Sequence, residues 1–478
     1  MIDCVEWFHN VVLSLSDFVW TYILIAVLIV LGVYFSVRTR FVQVVAIRET
    51  LRLLVEKEPS DSSTKGEKKG VSSFQAFCIS TASRVGTGNL AGVAIAISLG
   101  GPGAVFWMWV IAIFGAASGF VESTLAQIFK VRDGNNFRGG PAYYMEKALN
   151  ARWLGIIFAL LITFSFGFVF NAVQVNTMTS AFQGSFGWEP LWIGIVLAVM
   201  LALTIFGGVQ RIGQVSSVIV PVMATGYILI ALFVIVMNIS AIPQVFSDIF
   251  MHAFGFREAA SGGIGAAMMM GIKRGLFSNE AGMGSAPNAA ATANVSHPVK
   301  QGMIQSLGVF VDTLLVCSAT AFIILFSGLH ASGDYDGIQL TQQALASQVG
   351  DWANIFVGLA IFLFAFSSLI GNYYYGQSNI EFINGKGRHI KMWMLLYRLG
   401  VIAMVIFGSV AKVALVWDMA DLFMGCMALI NLVVITLLGK YAFAALQDYR
   451  RQRQSGVDPQ FHASTIPGLK HADCWVKE

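Results

Sequence analysis

The stretch "SRVGTGNLAG", Ser83–Gly92, interrupts an apolar segment that runs from Phe74 to Leu99. Gly86, Gly88 and Gly92, an arginine and an asparagine sit where the surrounding sequence suits lipid. Three readings compete. A nucleotide cradle is set aside, because the spacing is GxGxxxG, no Lys-Ser/Thr follows and no strand precedes it. A packing stripe fits better, since Gly88 and Gly92 are four residues apart as in small-xxx-small contacts, but it leaves Asn89 and Arg84 without a role. The third reading is a helix broken at membrane depth. Such a break frees N–H groups at the start of one half-helix and C=O groups at the end of the other, and lipid satisfies neither. Amides at the positive end of a helix dipole suit a carboxylate, and carbonyls suit a sodium ion. Glycine makes the unwound geometry accessible and keeps side chains out of the cavity.

The rest of the chain supplies the membrane setting. Of 478 residues, 56% are hydrophobic and 12% charged, and the mean hydropathy is +0.70, whereas soluble domains carry about a quarter charged residues. The fold class expected is an all-α polytopic membrane protein. Apolar runs near or above the ~20 residues that cross a bilayer begin with "FVWTYILIAVLIVLGVYFSV". They predict about eleven transmembrane helices, at 14–38, 73–99, 103–130, 153–183, 190–208, 213–238, 261–280, 301–328, 352–376, 391–411 and 416–440. The first run lacks a basic leader and a small-residue cleavage site, so it reads as a retained helix. The scattered cysteines Cys4, Cys78, Cys317, Cys426 and Cys474 argue against a disulfide framework or a CxxC site. The histidines form no HExxH cluster, and no Ser/His/Asp arrangement lies at membrane depth. An enzyme is therefore not expected, nor is a nucleotide, transition-metal or nucleic-acid partner.

Charge placement predicts orientation. With the N-terminus outside, the inward loops and tail collect all of the 30 lysines and arginines except Arg257 and Lys412, assigned outside, and Arg84, in the membrane. Glu189, Asp248, Glu258, Asp334, Asp336 and Asp351 fall on the outward side. The C-terminus is then cytoplasmic. Segments 41–56, 140–150 and 335–350 read as short helices lying in the interface.

Setting the first helix aside leaves ten. The first of these carries the Gly86 break and the sixth carries a second glycine-interrupted polar stretch, "MGIKRGLFSNEAGMG", at 270–284. Breaks in equivalent positions are the mark of a transporter built from inverted repeats. The expected organisation is an extra helix and cytoplasmic interfacial segment at 1–72, a first repeat at 73–238, an external linker at 239–260, a second repeat at 261–440 and a cytoplasmic tail at 441–478. The evidence for the repeat is positional, as the halves share no clear identity.

The blocks "RVGTGNLAGVAIAISLGGPGAVFWMW", "GLFSNEAGMGSAPNAAATANVSHPVKQGMI" and "FVDTLLVCSATA" resemble the sodium:alanine (alanine/glycine:cation) symporter family of bacteria and archaea, over nearly the full chain. The resemblance implies a leucine-transporter-type core, a 5+5 inverted repeat with discontinuous first and sixth core helices, in the bacterial inner membrane. It implies import of a small neutral amino acid, alanine or glycine, with co-transported sodium by alternating access. The residues leave open a proton-coupled amino-acid transporter, and a channel or sensor on the same fold; membrane lipid is the other expected partner, and oligomeric state is not fixed.

Roles follow from the resemblance together with the pattern. Backbone amides from Gly86 through Thr87 and Gly88 to Asn89 are expected to hold the substrate carboxylate, with the Asn89 amide assisting. Asn171 and Gln174 share a helix face at i, i+3; Gln174 is expected in the pocket, and helix-to-helix bonding is the alternative. Met270 and Gly271 are expected as an adaptable wall entering the second break. Ser367 and Ser368 align with the paired hydroxyls of a sodium site, opposite carbonyls of Ala82 and Val85, with Asn89 as a further sodium ligand; bonding back to their own helix is the alternative. Where alanine and glycine transporters of the family commonly have a tryptophan, this chain has Asn372, which leaves room and adds an amide, so that glutamine or serine becomes credible as substrate. Charges in the membrane are usually functional or paired. Arg84 is expected to pair with Asp312 or Glu122 or to replace a cation, and Glu280 to act near the cytoplasmic end as an inner gate, a cap or an ion contact.

Overall fold

The computed structural model describes residues 2–56, 71–134, 136–206, 208–256, 263–385, 387 and 389–476. Lys57, Lys65, Lys68, Lys69, Arg257, Glu258, Lys386, Arg388 and Lys477, assigned to sides of the membrane above, lie outside the described residues, as does the end of the expected linker. The chain is almost entirely helical. In order come α1 (His9–Arg38), α2 (Ser73–Arg84), α3 (Gly88–Gly100), α4 (Gly103–Ile128), α5 (Arg152–Phe186), α6 (Pro190–Ile205), α7 (Gln214–Met237), α8 (Gly263–Asn279), α9 (Ala286–Ala290), α10 (Pro298–Ser327), α11 (Trp352–Asn384), α12 (Ile390–Val410) and α13 (Val413–Gln454). Among the described residues eight of these, α1, α4, α5, α7, α10, α11, α12 and α13, are long and apolar enough to cross a membrane. Shorter helices at Ile47–Leu54, Pro141–Leu149 and Gly337–Val349 occupy the segments read as interfacial. A further one, Ile242–Ala253, stands in the expected linker.

The two glycine-rich stretches end helices for different local reasons. The start of α2 is fixed by a reciprocal capping box between Ser72 and Gln75. Its end comes at Val85, which turns extended (φ −80°, ψ 92°), and α3 opens with a π-turn over Gly88–Gly92. The end of α8 comes at Asn279, inside the second motif; Glu280 then adopts φ 57°, and Gly282 and Gly284 follow at φ 83° and 86°. Gly284 is boxed in as well, since a Cβ there would lie 2.7 Å from Phe158 and 2.9 Å from Asn431 and Pro141.

The structure corrects three boundaries. Because α8 stays helical to Asn279, Met270 and Gly271 lie about 13 Å before the second break at ~1.5 Å per residue; they pack instead on α3 and α4, Met270 against Gly100 and Gly271 against Ala104 and Trp107. For the same reason Lys273 and Arg274, assigned to an inward loop, are buried within α8, where both pair with Asp421 of α13 (3.3 and 2.5 Å). Third, α13 runs on to Gln454, well into the expected tail, and the residues after it fold back. Phe461 N donates to the Ser296 carbonyl, Trp475 Nε1 to the Gln127 carbonyl, and Lys300 Nζ bonds Asp458.

Gly284→Ala is expected to destabilise the protein by at least the ~1–3 kcal/mol that a left-handed backbone costs a non-glycine residue, read as a lowered unfolding midpoint of the detergent-purified protein. An unchanged midpoint would show that the turn relaxes.

Candidate functional site

The site is built where α2 gives way to α3. Four backbone groups lose helical partners between Ala82 and Thr87, and side chains from two other helices supply replacements. From α11, Ser368 Oγ lies 2.9 Å from the Ala82 carbonyl and 3.5 Å from that of Val85, and Ser367 Oγ lies 3.4 Å from the Ala82 carbonyl. Both hydroxyls also reach the Phe364 carbonyl of their own helix (2.9 and 3.0 Å). The back-bonding reading and the cross-helix reading therefore both describe real contacts. From α5, Gln174 Oε1 accepts the Thr87 N–H at 3.0 Å. The Gly86 N–H is taken by Asn89 Oδ1 at 2.9 Å. The two amides expected to face a carboxylate thus each meet an oxygen already. Gly86 has no room for a side chain, because a Cβ would collide with Ser368 and Gln174. Gly88 packs on Phe277 and Ser278 of α8, so the packing reading of that glycine also holds.

Asn89 joins the two broken segments. Its Nδ2 donates to Asp312 Oδ1 at 2.7 Å, and Ser278 at the end of α8 donates to the same oxygen at 3.0 Å. Thr313 Oγ1 donates to Asp312 Oδ2 at 2.8 Å. Asp312 sits in a second π-turn, Val311–Cys317 of α10, a distortion of the kind that concentrates at functional sites.

Glu122 serves the other break. Its oxygens accept the N–H groups of Gly282 and Gly284, each at 3.1 Å, and Asn431 Nδ2 at 2.7 Å. Asn431 also donates to the Gly282 carbonyl and receives the Tyr144 hydroxyl. Neither Glu122 nor Asp312 forms an ion pair with Arg84 among the described residues. Arg84 is 2% exposed and makes one hydrogen bond, to the Gln305 carbonyl at 3.1 Å. Its Nε and Nη2 are buried without partners, and Gly308 alone leaves room for its Nη1.

Glu280 is drawn in between the breaks rather than out to an end. Its Oε1 is 2.6 Å from Ser83 Oγ, and its Oε2 accepts from Ser285 at 2.6 Å. Ser83 Oγ is also 2.7 Å from Asn372 Oδ1, and Asn372 Nδ2 donates to Asn171 Oδ1 at 3.1 Å. Of the residues named from sequence, Ala82, Val85, Gly86, Thr87, Asn89, Asn171, Gln174, Ser367, Ser368, Asn372, Asp312 and Glu280 are brought together. Met270 and Gly271 are not. Ser83, Ser278, Thr313 and Ser285 join the cluster without having been singled out, and Ser83 lay inside the opening stretch.

A sequence model of the sodium:alanine symporter family matches residues 5–463. The chain belongs to the sodium:alanine symporter family. It is 57% identical over 474 residues to the amino-acid carrier protein AlsT of Bacillus subtilis (strain 168), covering 99% of both chains. It is 55% identical over 460 residues to a probable sodium/glutamine symporter, GlnT, of the same organism, covering 96% of this chain and 94% of that one. Among solved structures, the Eremococcus coleocola manganese transporter in complex with an aromatic bis-isothiourea substituted compound superposes with a TM-score of 0.51 at 13% identity, over 83% of this chain and 92% of that one. That likeness concerns the fold alone. Membership makes the chain a multi-pass membrane transporter.

Glu122→Gln turns one accepting oxygen into an amide that faces an N–H. A hydrogen bond to a charged group is lost and a donor stranded, so a cost of about 1.5–3 kcal/mol is expected, visible as a lower unfolding midpoint and faster proteolysis between α8 and α9. Wild-type values for both would mean that Glu122 does not hold the second break.

Proposed function

We propose that the protein is a sodium-coupled symporter that imports a small neutral amino acid by alternating access. The observation that carries the reading is the convergence at the α2–α3 break. Carbonyl oxygens of Ala82 and Val85 and hydroxyls of Ser367 and Ser368 meet there within 3.5 Å, an all-oxygen set that suits a hard monovalent cation. Asn89 adds an amide oxygen on the same segment. Beside them, the Gly86 and Thr87 amides each hold a side-chain oxygen in the place that a substrate carboxylate would take. Substrate binding then exchanges Gln174 Oε1 and Asn89 Oδ1 for carboxylate oxygens, and sodium draws in the carbonyls that the break leaves free. Family membership and the amino-acid carriers among the relatives support the same conclusion.

The finer parts of the reading rest on sequence pattern. They are eleven spans in a 5+5 inverted repeat after one extra helix, the division at 1–72, 73–238, 239–260, 261–440 and 441–478, and an N-terminus outside with the C-terminus in the cytoplasm of a bacterial inner membrane. The motion proposed is rocking of the broken-helix bundle against the remaining scaffold around a fixed site. Asn372 in place of a tryptophan supports a pocket that admits glutamine or serine as well as alanine and glycine, and the 55% identity to a probable sodium/glutamine symporter points the same way.

Reconstituted into proteoliposomes, the protein is expected to accumulate labelled alanine or glutamine when an inward sodium gradient is imposed. Uptake driven equally well by a proton gradient in sodium-free buffer would overturn sodium coupling, and passive, unsaturable flux would point to a channel. Ser368→Ala should raise the sodium concentration for half-maximal uptake at least tenfold. Asn372→Trp is expected to shift the glutamine-to-alanine ratio of kcat/KM about tenfold or more toward alanine, the scale on which pocket shape discriminates; an unchanged ratio would remove Asn372 from substrate selection.

A further inference from the structure

Three oxygen atoms meet at Ser83 with too few hydrogens between them. Ser83 Oγ lies 2.6 Å from Glu280 Oε1 and 2.7 Å from Asn372 Oδ1, both hydrogen-bond distances. A serine hydroxyl carries one proton and donates one hydrogen bond. The direction of the network is fixed from its far end. Asn171 Nδ2 donates to the Gly167 carbonyl at 3.0 Å, and a backbone carbonyl only accepts. Asn171 therefore presents its oxygen to Asn372, which answers with Nδ2 and turns its own oxygen toward Ser83. Ser83 must donate to that oxygen. The remaining 2.6 Å contact then needs a hydrogen that only the Glu280 carboxyl can bring.

We propose that Glu280 is a proton-binding site in this conformation, and that its proton controls whether the side-chain oxygen of Asn372 has a donor. The chain runs from Glu280 Oε1–H to Ser83, from Ser83 to Asn372, from Asn372 to Asn171 and from Asn171 to Gly167. When the proton leaves for water, Ser83 swings its hydroxyl onto the carboxylate, and Asn372 Oδ1 is left without a donor. A buried amide oxygen without a donor costs about 1–3 kcal/mol, and the ammonium group of an incoming amino acid removes that cost. Substrate binding and proton release are thereby linked, and by reciprocity each favours the other.

The surroundings permit both charge states. Glu280 meets Ser83 from α2 and Ser285 beyond the second break, the ionisable Tyr375 hydroxyl of α11 lies nearby, and the charged groups acting on it are Arg84 and Asp312. Glu122 lies across the same turn on the Gly282 and Gly284 amides. Arg84 is the only cation among these, and its Nε and Nη2 have no partner. It supplies the countercharge for a deprotonated Glu280, which gives this guanidinium a task that no salt bridge among the described residues does.

The inference rests on the amino-acid reading for its substrate but not for its proton, and two measurements separate them. Infrared difference spectra of purified wild-type protein and Glu280→Gln, without any amino acid, are expected to show the carbonyl band of a protonated carboxylic acid lost in the variant. Absence of that difference overturns the proposal whatever the protein transports. Calorimetric titration with alanine or glutamine in buffers of different ionisation heat is expected to show release of about one proton per amino acid bound, and KM to fall as pH rises, by up to the tenfold per pH unit that one linked proton allows. Glu280→Gln mimics the protonated acid by donating from its amide, and Ser83→Ala cuts the link, so KM should lose its pH dependence in both. Proton-neutral binding, or a pH dependence that survives in both variants, overturns the linkage. If neither amino acid binds while the infrared band is present, the transport reading fails and the proton site stands.

Discussion

A helix interrupted inside a membrane must find partners for its freed backbone groups from within the protein, since lipid offers none and each orphan costs several kcal/mol. That constraint organises this structure. Each break is held by polar side chains that come from other helices. Gln174 and Ser368 hold the break after α2, and Glu122 with Asn431 holds the break after α8. Asp312 then ties the first segment to the second through Asn89 and Ser278. The two broken segments are in this sense tied together, since Asp312 holds a residue of each.

The two breaks are supported unequally. Around the second, a carboxylate grips two amides of a turn set by left-handed glycines, and an asparagine closes the ring. This is a rigid arrangement. At the first, the partners are an amide side chain and two hydroxyls, and both hydroxyls have a second bond to the Phe364 carbonyl of their own helix. Partners that are neutral and individually replaceable suit a place where ligands enter and leave, because exchanging one oxygen for another strands nothing.

Much of this was legible in the sequence, for physical reasons. Hydropathy and glycine placement locate the apolar helices and the first break, because the bilayer imposes a length and glycine permits the turn. The blocks that begin at Arg84, Gly275 and Phe310 marked the family correctly. Met270 and Gly271 were expected at the second break because they open the glycine-interrupted stretch, and Lys273 and Arg274 were assigned to a loop because they are charged; in fact all four stay helical, and Asp421, far along the chain, neutralises part of the charge. No local pattern announces such a pairing. Glu280 was read as lying toward an end for a similar reason: its contact with Ser83 spans a sequence separation of 197 residues. Long-range partners of buried charges are decided by packing and are invisible to a window.

The pairing at Asp421 also bears on the first helix. Two cations against one buried carboxylate leave an excess of positive charge in a poor dielectric, and such a group needs further stabilising contacts from its surroundings. The Trp20 ring of α1 lies 5.5 Å from Lys273 Nζ, its indole N–H is bonded to the Asp421 carbonyl, and the Trp417 ring lies 4.7 Å from the Arg274 guanidinium. Helix α1 stands outside the proposed repeat and contributes nothing to the break at Gly86. Its Trp20 instead ties the added helix to the ion triad, placing an aromatic face by one cation and an N–H on the backbone of the carboxylate that serves both.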